Sequence, residues 1–336
     1  MPPVHEAAAQ AQPNIALVKY WGKRDAALNL PAVGSISITL DGLWTRTRVR
    51  FDERLPQDRF VLDGRADERE AARVSRCLDL LRERAGVRWR ADVVSRNNFP
   101  TAAGLASSAS GFAALVTAAA AALGLPLSAT EKSELARRAS GSAARSIFGG
   151  YVEWAHGRRA DGKDSVAQCL RAAADWPLRV VVAITSRAAK EVGSSEGMRR
   201  SAETSPYHAA WIAAQEDDLA VARSAIAARD FQRLAEVAEH SCLKMHALAL
   251  AARPGLIYWN GTTVEALHRI RALRGSGVPV FFTVDAGPQV KAVCEPQAVE
   301  TVRAALAATP GVLDVIECGL GAGARLIEAD ALECAA

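Results

Sequence analysis

Four short segments hold the residue types from which chemistry could be built. The first reads Pro100, Thr101, Ala102, Ala103, Gly104, Leu105, Ala106, Ser107, Ser108, between a strand-like stretch and an alanine-rich helical one. Small side chains let a backbone wrap closely round a ligand, and the first N–H groups of a helix have no partner within it. The helix dipole adds partial positive charge there, so the segment suits an anion, phosphate above all. Ser107 or Ser108 could give a hydroxyl to a phosphate oxygen or to Mg²⁺. No lysine closes the segment, which separates it from the common phosphate loop ending in Lys-Ser or Lys-Thr. Taken alone, it is equally an ordinary tight turn into a helix.

The second segment, Pro13 to Arg24, brings Lys19, Lys23 and Arg24 close to Tyr20 after a strand-like run. Cations beside a phenol suit phosphate recognition, although Lys and Arg are most often simply exposed. The third, Ser140 to Ser146, sets Arg145 among small residues, where a carboxylate can approach its planar fork. The fourth ends an apolar run with Val284-Asp285-Ala286-Gly287-Pro288. An aspartate in that position presents a carboxylate at the edge of a cleft, or caps a turn, which is the commoner case.

Composition limits what these segments can serve. Half of the 336 residues are apolar and 23% are charged, which is globular. A net charge of +4, from 41 basic and 37 acidic residues, is too weak to argue for nucleic acid. It is compatible with an anionic substrate. The cysteines at 77, 169, 242, 294, 318 and 334 form no C-x-x-C pair, which reads as reduced thiols in the cytosol. The histidines give no metal spacing. No apolar run is long enough to span a bilayer, and the N-terminus has no signal-peptide pattern. A cytoplasmic protein without a membrane partner is expected.

The elements that must position the segments follow from periodicity. Ile36, Ile38 and Leu40 alternate with Ser35, Ser37 and Thr39, the pattern of a half-buried strand. Thr45 to Phe51 repeats it after Asp41-Gly42, predicting a hairpin. Residues 68–85 read as an amphipathic helix burying Ala72, Cys77, Leu80 and Leu81. Residues 105–123 read as a packed helix stopped by Gly124 and Pro126. Leu178–Thr185 and Val278–Val284 read as buried strands. Between them the pattern from Ser194 to Ala252 is helical, with Asp230 as an N-cap. Strands dominate the first half and helices the second, without strict βαβ alternation, which predicts an α+β fold in two lobes.

In this order and spacing, the four segments resemble the diphosphomevalonate decarboxylase family of the GHMP kinase superfamily. N-I-A-L-V-K-Y-W-G-K-R-D, N-N-F-P-T-A-A-G-L-A-S-S, S-G-S-A-A-R-S-I-F-G-G-Y and D-A-G-P carry the resemblance. It runs from about Ala11 to Gly323. Superfamily kinases usually have glycine where Ala106 stands, and the decarboxylases have alanine. Gln12-Pro13, Gly34 and Gly261 depart from the family pattern.

The resemblance implies a two-lobed GHMP-kinase-type fold: a β-rich, ATP-binding N-terminal lobe over 1–180, an α/β C-terminal lobe over 181–336, and an active site in the cleft between them. It implies conversion of (R)-5-diphosphomevalonate and ATP to isopentenyl diphosphate, ADP, phosphate and CO₂, with Mg²⁺, by a homodimer. It casts Asp285, Lys19 and Arg145 as catalytic, with Arg145 holding the substrate carboxylate. Tyr20, Lys23, Ser140, Ser142 and Ser194 would contact the substrate diphosphate. Asn97, Ala103, Gly104, Leu105, Ala106, Ser107, Ser108 and Lys190 would bind ATP, with Ser107 or Ser108 on the metal. A decarboxylase for the monophosphate, a kinase that stops at the phosphorylated product and a non-catalytic binding protein are the competing readings. A kinase has no need of a carboxylate clamp, and a binding protein has no need of Asp285.

Overall fold

The computed structural model describes residues 5–99 and 107–328, and alanine decides how its first layer packs. The strand His5–Ala11 reads HEAAAQA, and the helix Ser107–Ala122 is half alanine and buried nearly all round. Methyl groups on both partners allow close approach, so the helix lies across His5–Ala11 and Thr45–Asp52. The sheet beneath it has six strands in the order Arg325–Ile327, His5–Ala11, Thr45–Asp52, Arg90–Asn97, Arg59–Leu62, Arg65–Ala66. Its outer strand Arg325–Ile327 comes from the far end of the chain and pairs antiparallel with His5–Ala11.

The second sheet runs Ala167–Arg171, Tyr151–Trp154, Ser35–Thr39, Asn14–Val18. This arrangement corrects the expected hairpin. Ser35–Thr39 and Thr45–Asp52 lie in different sheets, and Asp41-Gly42 carries the chain between them. The crossing is pinned by a bridge from Leu40 to Leu320, and by the Asp41 N–H donating to the Gly319 carbonyl at 3.0 Å. Alternation specifies which face of a strand is buried, not which strand it pairs with. Ser35–Thr39 also proves buried on both faces, because its polar side lines the interior near Arg145.

The third sheet, Val280–Thr283, Val290–Cys294, Arg179–Ile184, Asp314–Cys318, is antiparallel throughout. Arg179–Ile184 is an inner strand, as its continuous apolar run predicts. Val280–Thr283 is an edge strand, kept fully buried by the helices Phe231–Leu250 and Gly261–Gly275. Asp230 caps the first of these by accepting from the Arg233 N–H at 3.0 Å. One hydrophobic cluster joins the second and third sheets through Ile15, Ile36, Val180, Val182, Leu234 and Phe281. The two halves of the chain therefore meet over a shared core.

The helix Glu68–Ala85 forms over the predicted residues with its apolar stripe rotated. Val74, Cys77, Leu78 and Leu81 are buried, Leu80 is half-buried and Ala72 is exposed. Arg69, Arg73 and Arg76, at helical spacing, occupy a neighbouring face and turn toward a cleft.

Candidate active site

That cleft, of about 960 Å³, collects most of the residues singled out in the sequence. Lys19, Tyr20, Lys23, Ser107, Ser108, Ser140, Ser142, Arg145, Lys190, Ser194 and Asp285 all line it. Its described wall carries eight cationic side chains, Lys19, Lys23, Arg69, Arg73, Arg76, Arg138, Arg145 and Lys190, against the two carboxylates of Asp79 and Asp285. The modest net charge of the chain is thus concentrated where it can raise the local concentration of an anion.

Asp285 stands just beyond the end of the strand Val280–Thr283. The backbone before it is fixed from the helix Phe231–Leu250: the Val284 N–H donates to Cys242 Sγ at 3.2 Å, and the Val284 carbonyl meets His246 Nε2 at 3.3 Å. Burial, with the Lys19 ammonium nearby, pushes His246 down to about 4, so its ring is neutral. Asp285 Oδ1 accepts from Lys19 Nζ at 2.7 Å, and Lys291 Nζ lies 3.3 Å from Oδ2. Some 26% of the Asp285 side chain remains exposed to the cleft, whereas Lys19 and Lys291 are buried. Burial on its own would raise the pKa of Asp285. The two ammonium groups outweigh it and hold the carboxyl well below the usual carboxylate range. The site therefore presents an ionised, weakly basic carboxylate.

The turn after Asp285 depends on Gly287, whose φ is +77° and whose added Cβ would lie 2.5 Å from the Tyr258 carbonyl. Gly287→Ala should lose on the order of 1–2 kcal/mol from the left-handed backbone alone, with the clash in addition. A lower melting temperature with a lower turnover is expected by calorimetry and assay. An unchanged melting temperature would show that the turn is not held as described.

Arg145 comes from the short helix Ala143–Ser146 and is 3% exposed. Its Nε donates to Asn14 Oδ1 at 3.0 Å and its Nη1 to Ser35 Oγ at 2.5 Å. Asn14 also donates to the Ser142 carbonyl at 3.1 Å and to Ser146 Oγ at 2.8 Å, so one amide fixes both the guanidinium and the backbone that carries it. Burial pushes the Arg145 pKa down and the Asp285 carboxylate opposes this; a guanidinium stays charged in any case. The result is a planar cation with a fixed orientation beside an ionised aspartate.

Around these lie groups for oxyanions. Tyr20 Oη is buried without a partner among the described residues, and the Tyr20 ring meets Trp154 edge-on at 4.8 Å. Burial pushes its phenol above the ordinary tyrosine range, so it is a neutral donor. The absence of a side chain at Gly141 leaves room for that hydroxyl, since a Cβ there would come within 3.0 Å of it. The helix Ser194–Thr204 starts at Gly193 without a side-chain cap, and Gly193, Ser194 and Ser195 all border the cleft. Lys190 Nζ reaches Ser194 Oγ at 3.4 Å, and burial lowers its pKa. Ser140 Oγ donates to Ser108 Oγ at 3.3 Å, which links the third segment to the first.

Two expectations stand apart. Asn97 is not among the described residues lining the cleft: its side chain accepts from Thr45 Oγ1 at 2.6 Å. Ala103, Gly104, Leu105 and Ala106 lie outside the described residues. Met198, in the helix Ser194–Thr204, borders the cleft while packing with Trp21 and Trp211.

Several participants escaped the sequence reading. Asn14 was visible as a polar residue opening an apolar strand. Arg69, Arg73 and Arg76 were visible as cations at i, i+4 and i+7. Lys291 interrupts the apolar run Val290–Cys294, and a lysine inside a buried strand calls for a counter-ion. The contact of Ser35 with Arg145 had no local signal, because it joins residues 110 apart.

A cationic cleft with an ionised aspartate and a fixed guanidinium, set against helix starts in a two-lobed α+β fold, defines a GHMP-type enzyme for phosphorylated substrates. Residues 11–167 match the diphosphomevalonate decarboxylase-like N-terminal domain, and residues 180–317 the mevalonate 5-diphosphate decarboxylase C-terminal domain. The chain belongs to the diphosphomevalonate decarboxylase family, and as a member it is a carboxy-lyase. It is 39% identical over 300 residues to the diphosphomevalonate decarboxylase of Candida albicans, covering 85% of this chain and 83% of the relative. Its fold is similar to that of the solved complex of MDDEF with MVAPP, AMPPCP and magnesium, with a TM-score of 0.90, 39% identity and coverage of 97% and 100% of the two chains. It is also similar to a structure of the mevalonate diphosphate decarboxylase from Enterococcus faecalis, whose subject is ATP binding mediated by mevalonate diphosphate. There the TM-score is 0.88, with 39% identity and coverage of 97% and 100%. Among the described residues, no helix is long and apolar enough to cross a membrane.

Proposed function

We propose that the cleft converts (R)-5-diphosphomevalonate and ATP to isopentenyl diphosphate, ADP, phosphate and CO₂. The observation that carries this reading is the pairing of Asp285, held by Lys19 and Lys291, with the fixed guanidinium of Arg145 on one wall of a cationic cleft. Phosphoryl transfer calls for positioning and charge neutralisation more than for a strong base. Asp285 orients the C3 hydroxyl and accepts its proton late, as the oxygen bonds to the γ-phosphorus and ADP leaves. The C3–O bond then breaks to release phosphate. The bond to the carboxylate breaks with it, its electron pair forming the alkene and releasing CO₂. Asp285, ionised again once its proton has passed to an oxygen of the phosphate, stabilises positive charge developing at C3. Arg145 holds the substrate carboxylate until it departs.

Tyr20, Lys23, Ser140, Ser142 and Ser194 hold the diphosphate, and Lys190 with the start of the helix Ser107–Ala122 holds the nucleotide. The residues present suit Mg²⁺ in the mode in which phosphates supply most of its ligands: Ser107 and Ser108 border the cleft, and no carboxylate or histidine cluster competes for the ion among the described residues. Bound there by one of these hydroxyls and by phosphates, the ion would neutralise charge on the transferring group. The division into lobes at residue 180, a cytoplasmic location and a homodimer complete the reading. The free thiols at Cys77, Cys169, Cys242, Cys294 and Cys318 support a reducing compartment, and family resemblance supports the dimer.

The test compares mevalonate 5-diphosphate with mevalonate 5-phosphate at equal ATP and Mg²⁺. A kcat/KM higher by at least about 100-fold for the diphosphate is expected, because truncation leaves a cluster of half-buried donors, with the buried Tyr20 hydroxyl among them, unpaired. Equal or reversed preference would replace this substrate assignment with the monophosphate.

A further inference from the structure

The mechanism above uses Lys19, Arg145 and Asp285, and leaves unexplained why a second lysine sits behind the aspartate. Lys291 is the second residue of the strand Val290–Cys294, between Thr283 and Val182 in the ladder, and its side chain is 0% exposed. It does not border the cleft. Its Nζ makes no hydrogen bond among the described residues, and its one ionic contact is Asp285 Oδ2 at 3.3 Å. A strand position sealed from water in this way is filled at less cost by methionine or leucine. Sealing an ammonium there is unfavourable, and replacing a buried ion pair with a hydrophobe is often neutral or stabilising. Stability therefore does not account for Lys291.

We infer that Lys291 is a positioning residue for the reaction: it fixes the second carboxylate oxygen of Asp285, as Lys19 fixes the first, so that one edge of the carboxylate is presented to the substrate hydroxyl. The geometry around it supports this. The Ala16 carbonyl accepts from both Lys19 Nζ at 2.8 Å and Thr283 Oγ1 at 3.1 Å, so the strand Asn14–Val18, which Lys19 follows, and the strand leading to Asp285 are tied at one point. With Oδ1 held from the first strand's end and Oδ2 from behind, rotation of the carboxylate about its Cβ–Cγ bond is opposed on both sides. Lys291 acts on the substrate only through Asp285, because it has no surface in the cleft. The other titratable or charged groups facing this pair are Lys19, Lys190, Arg145 and Tyr20 around the cleft, and Cys242 and His246 on the helix Phe231–Leu250. The inference rests on Asp285 being the catalytic carboxylate.

The test is a double-mutant cycle on the full chain with Lys291→Met and Asp285→Asn. Lys291→Met should lower kcat by about 10- to 100-fold, leave KM for both substrates within about threefold, and melt within a few degrees of the unaltered enzyme. In the Asp285→Asn background the same change should alter kcat by less than about twofold, since the group through which Lys291 acts is gone. A loss that multiplies equally in both backgrounds would overturn the inference, as it would mark a structural role.

Melting temperature against pH gives an independent reading, usable even with traces of activity. Asp285→Asn leaves Lys291 buried without its carboxylate, so its folded pKa falls further below its unfolded value of about 10.4. The unfolded state then binds more protons between the two values, and stability rises with pH across that window. The deficit of Asp285→Asn relative to the unaltered enzyme should shrink between pH 7 and pH 10, and much of that slope should vanish in the double variant. Parallel curves for the single and double variants would also overturn it. If Asp285→Asn itself keeps near-normal turnover, the fault lies with the role of Asp285, which separates the two failures.

Discussion

Asp285→Asn should lower kcat by about three orders of magnitude or more, with substrate affinity kept within several-fold. Asn has the shape of Asp and lacks its charge, so the change removes what the site is built to hold. The carboxylate is the only anion in contact with the ammonium groups of both Lys19 and Lys291 among the described residues. Under the proposed mechanism, losing it removes the acceptor for the C3 hydroxyl proton and the counter-charge to the carbocation-like centre. Binding should survive, because the residues proposed for the diphosphate and the nucleotide lie elsewhere and the cleft becomes still more cationic. The variant should also be less stable, since removing one partner from a buried ion pair leaves uncompensated charge. The usual penalty of about 3–5 kcal/mol is reduced here by the partial exposure of Asp285 to the cleft. Steady-state kinetics and a melting curve on one preparation separate these effects. Turnover near that of the unaltered enzyme would remove Asp285 from the chemistry.

Arg145→Lys should fail differently, losing about 10²- to 10³-fold in kcat/KM for the organic substrate while the KM for ATP changes little. Arg145 is held in plane by Asn14 on Nε and Ser35 on Nη1. A lysine keeps the charge but cannot make both contacts and still offer a second donor to a carboxylate. It also leaves Asn14 Oδ1 and Ser35 Oγ short of a buried partner, at a cost on the order of 1–3 kcal/mol each. Because Asn14 also braces Ser142 and Ser146, Asn14→Ala should show part of the same defect. A selective effect on ATP affinity would place Arg145 on the nucleotide and overturn its assignment to the carboxylate.

How much of this was legible in the sequence depended on whether the signal was local. Helix ends marked by Asp230 and Gly124 sit where capping chemistry predicts, because each depends on a few neighbouring residues. The apolar runs at Leu178–Thr185 and Val278–Val284 fold as buried strands for the same reason. The Asp41-Gly42 turn misled because alternation is blind to strand partners: the deciding contacts come from Gly319 and Leu320, far along the chain. Ala72 was assigned to the buried stripe of its helix on apolarity alone, yet the residue that packs is Val74.

The site shows the same division. Lys19, Arg145 and Asp285 were identified through motif wording, and their convergence on one cleft could not be read from spacing. Lys19 and Asp285 are 266 residues apart in sequence and 2.7 Å apart in space. Lys291 lay three residues beyond a recognised motif and was overlooked because a single lysine in an apolar run carries no motif at all. The basic face Arg69, Arg73 and Arg76 was passed over because cations on an amphipathic helix normally face solvent. Only packing shows that this face lines the cleft.

The most direct test of the central claim is the stoichiometry of products from purified protein given ATP, Mg²⁺ and carboxyl-labelled mevalonate 5-diphosphate. Labelled CO₂ and ADP should appear in equal amounts throughout the time course, with neither formed when the other substrate is withheld. ADP formed without matching CO₂ would show a kinase that stops at the phosphorylated product, and would contradict the joint roles assigned to Asp285 and Arg145.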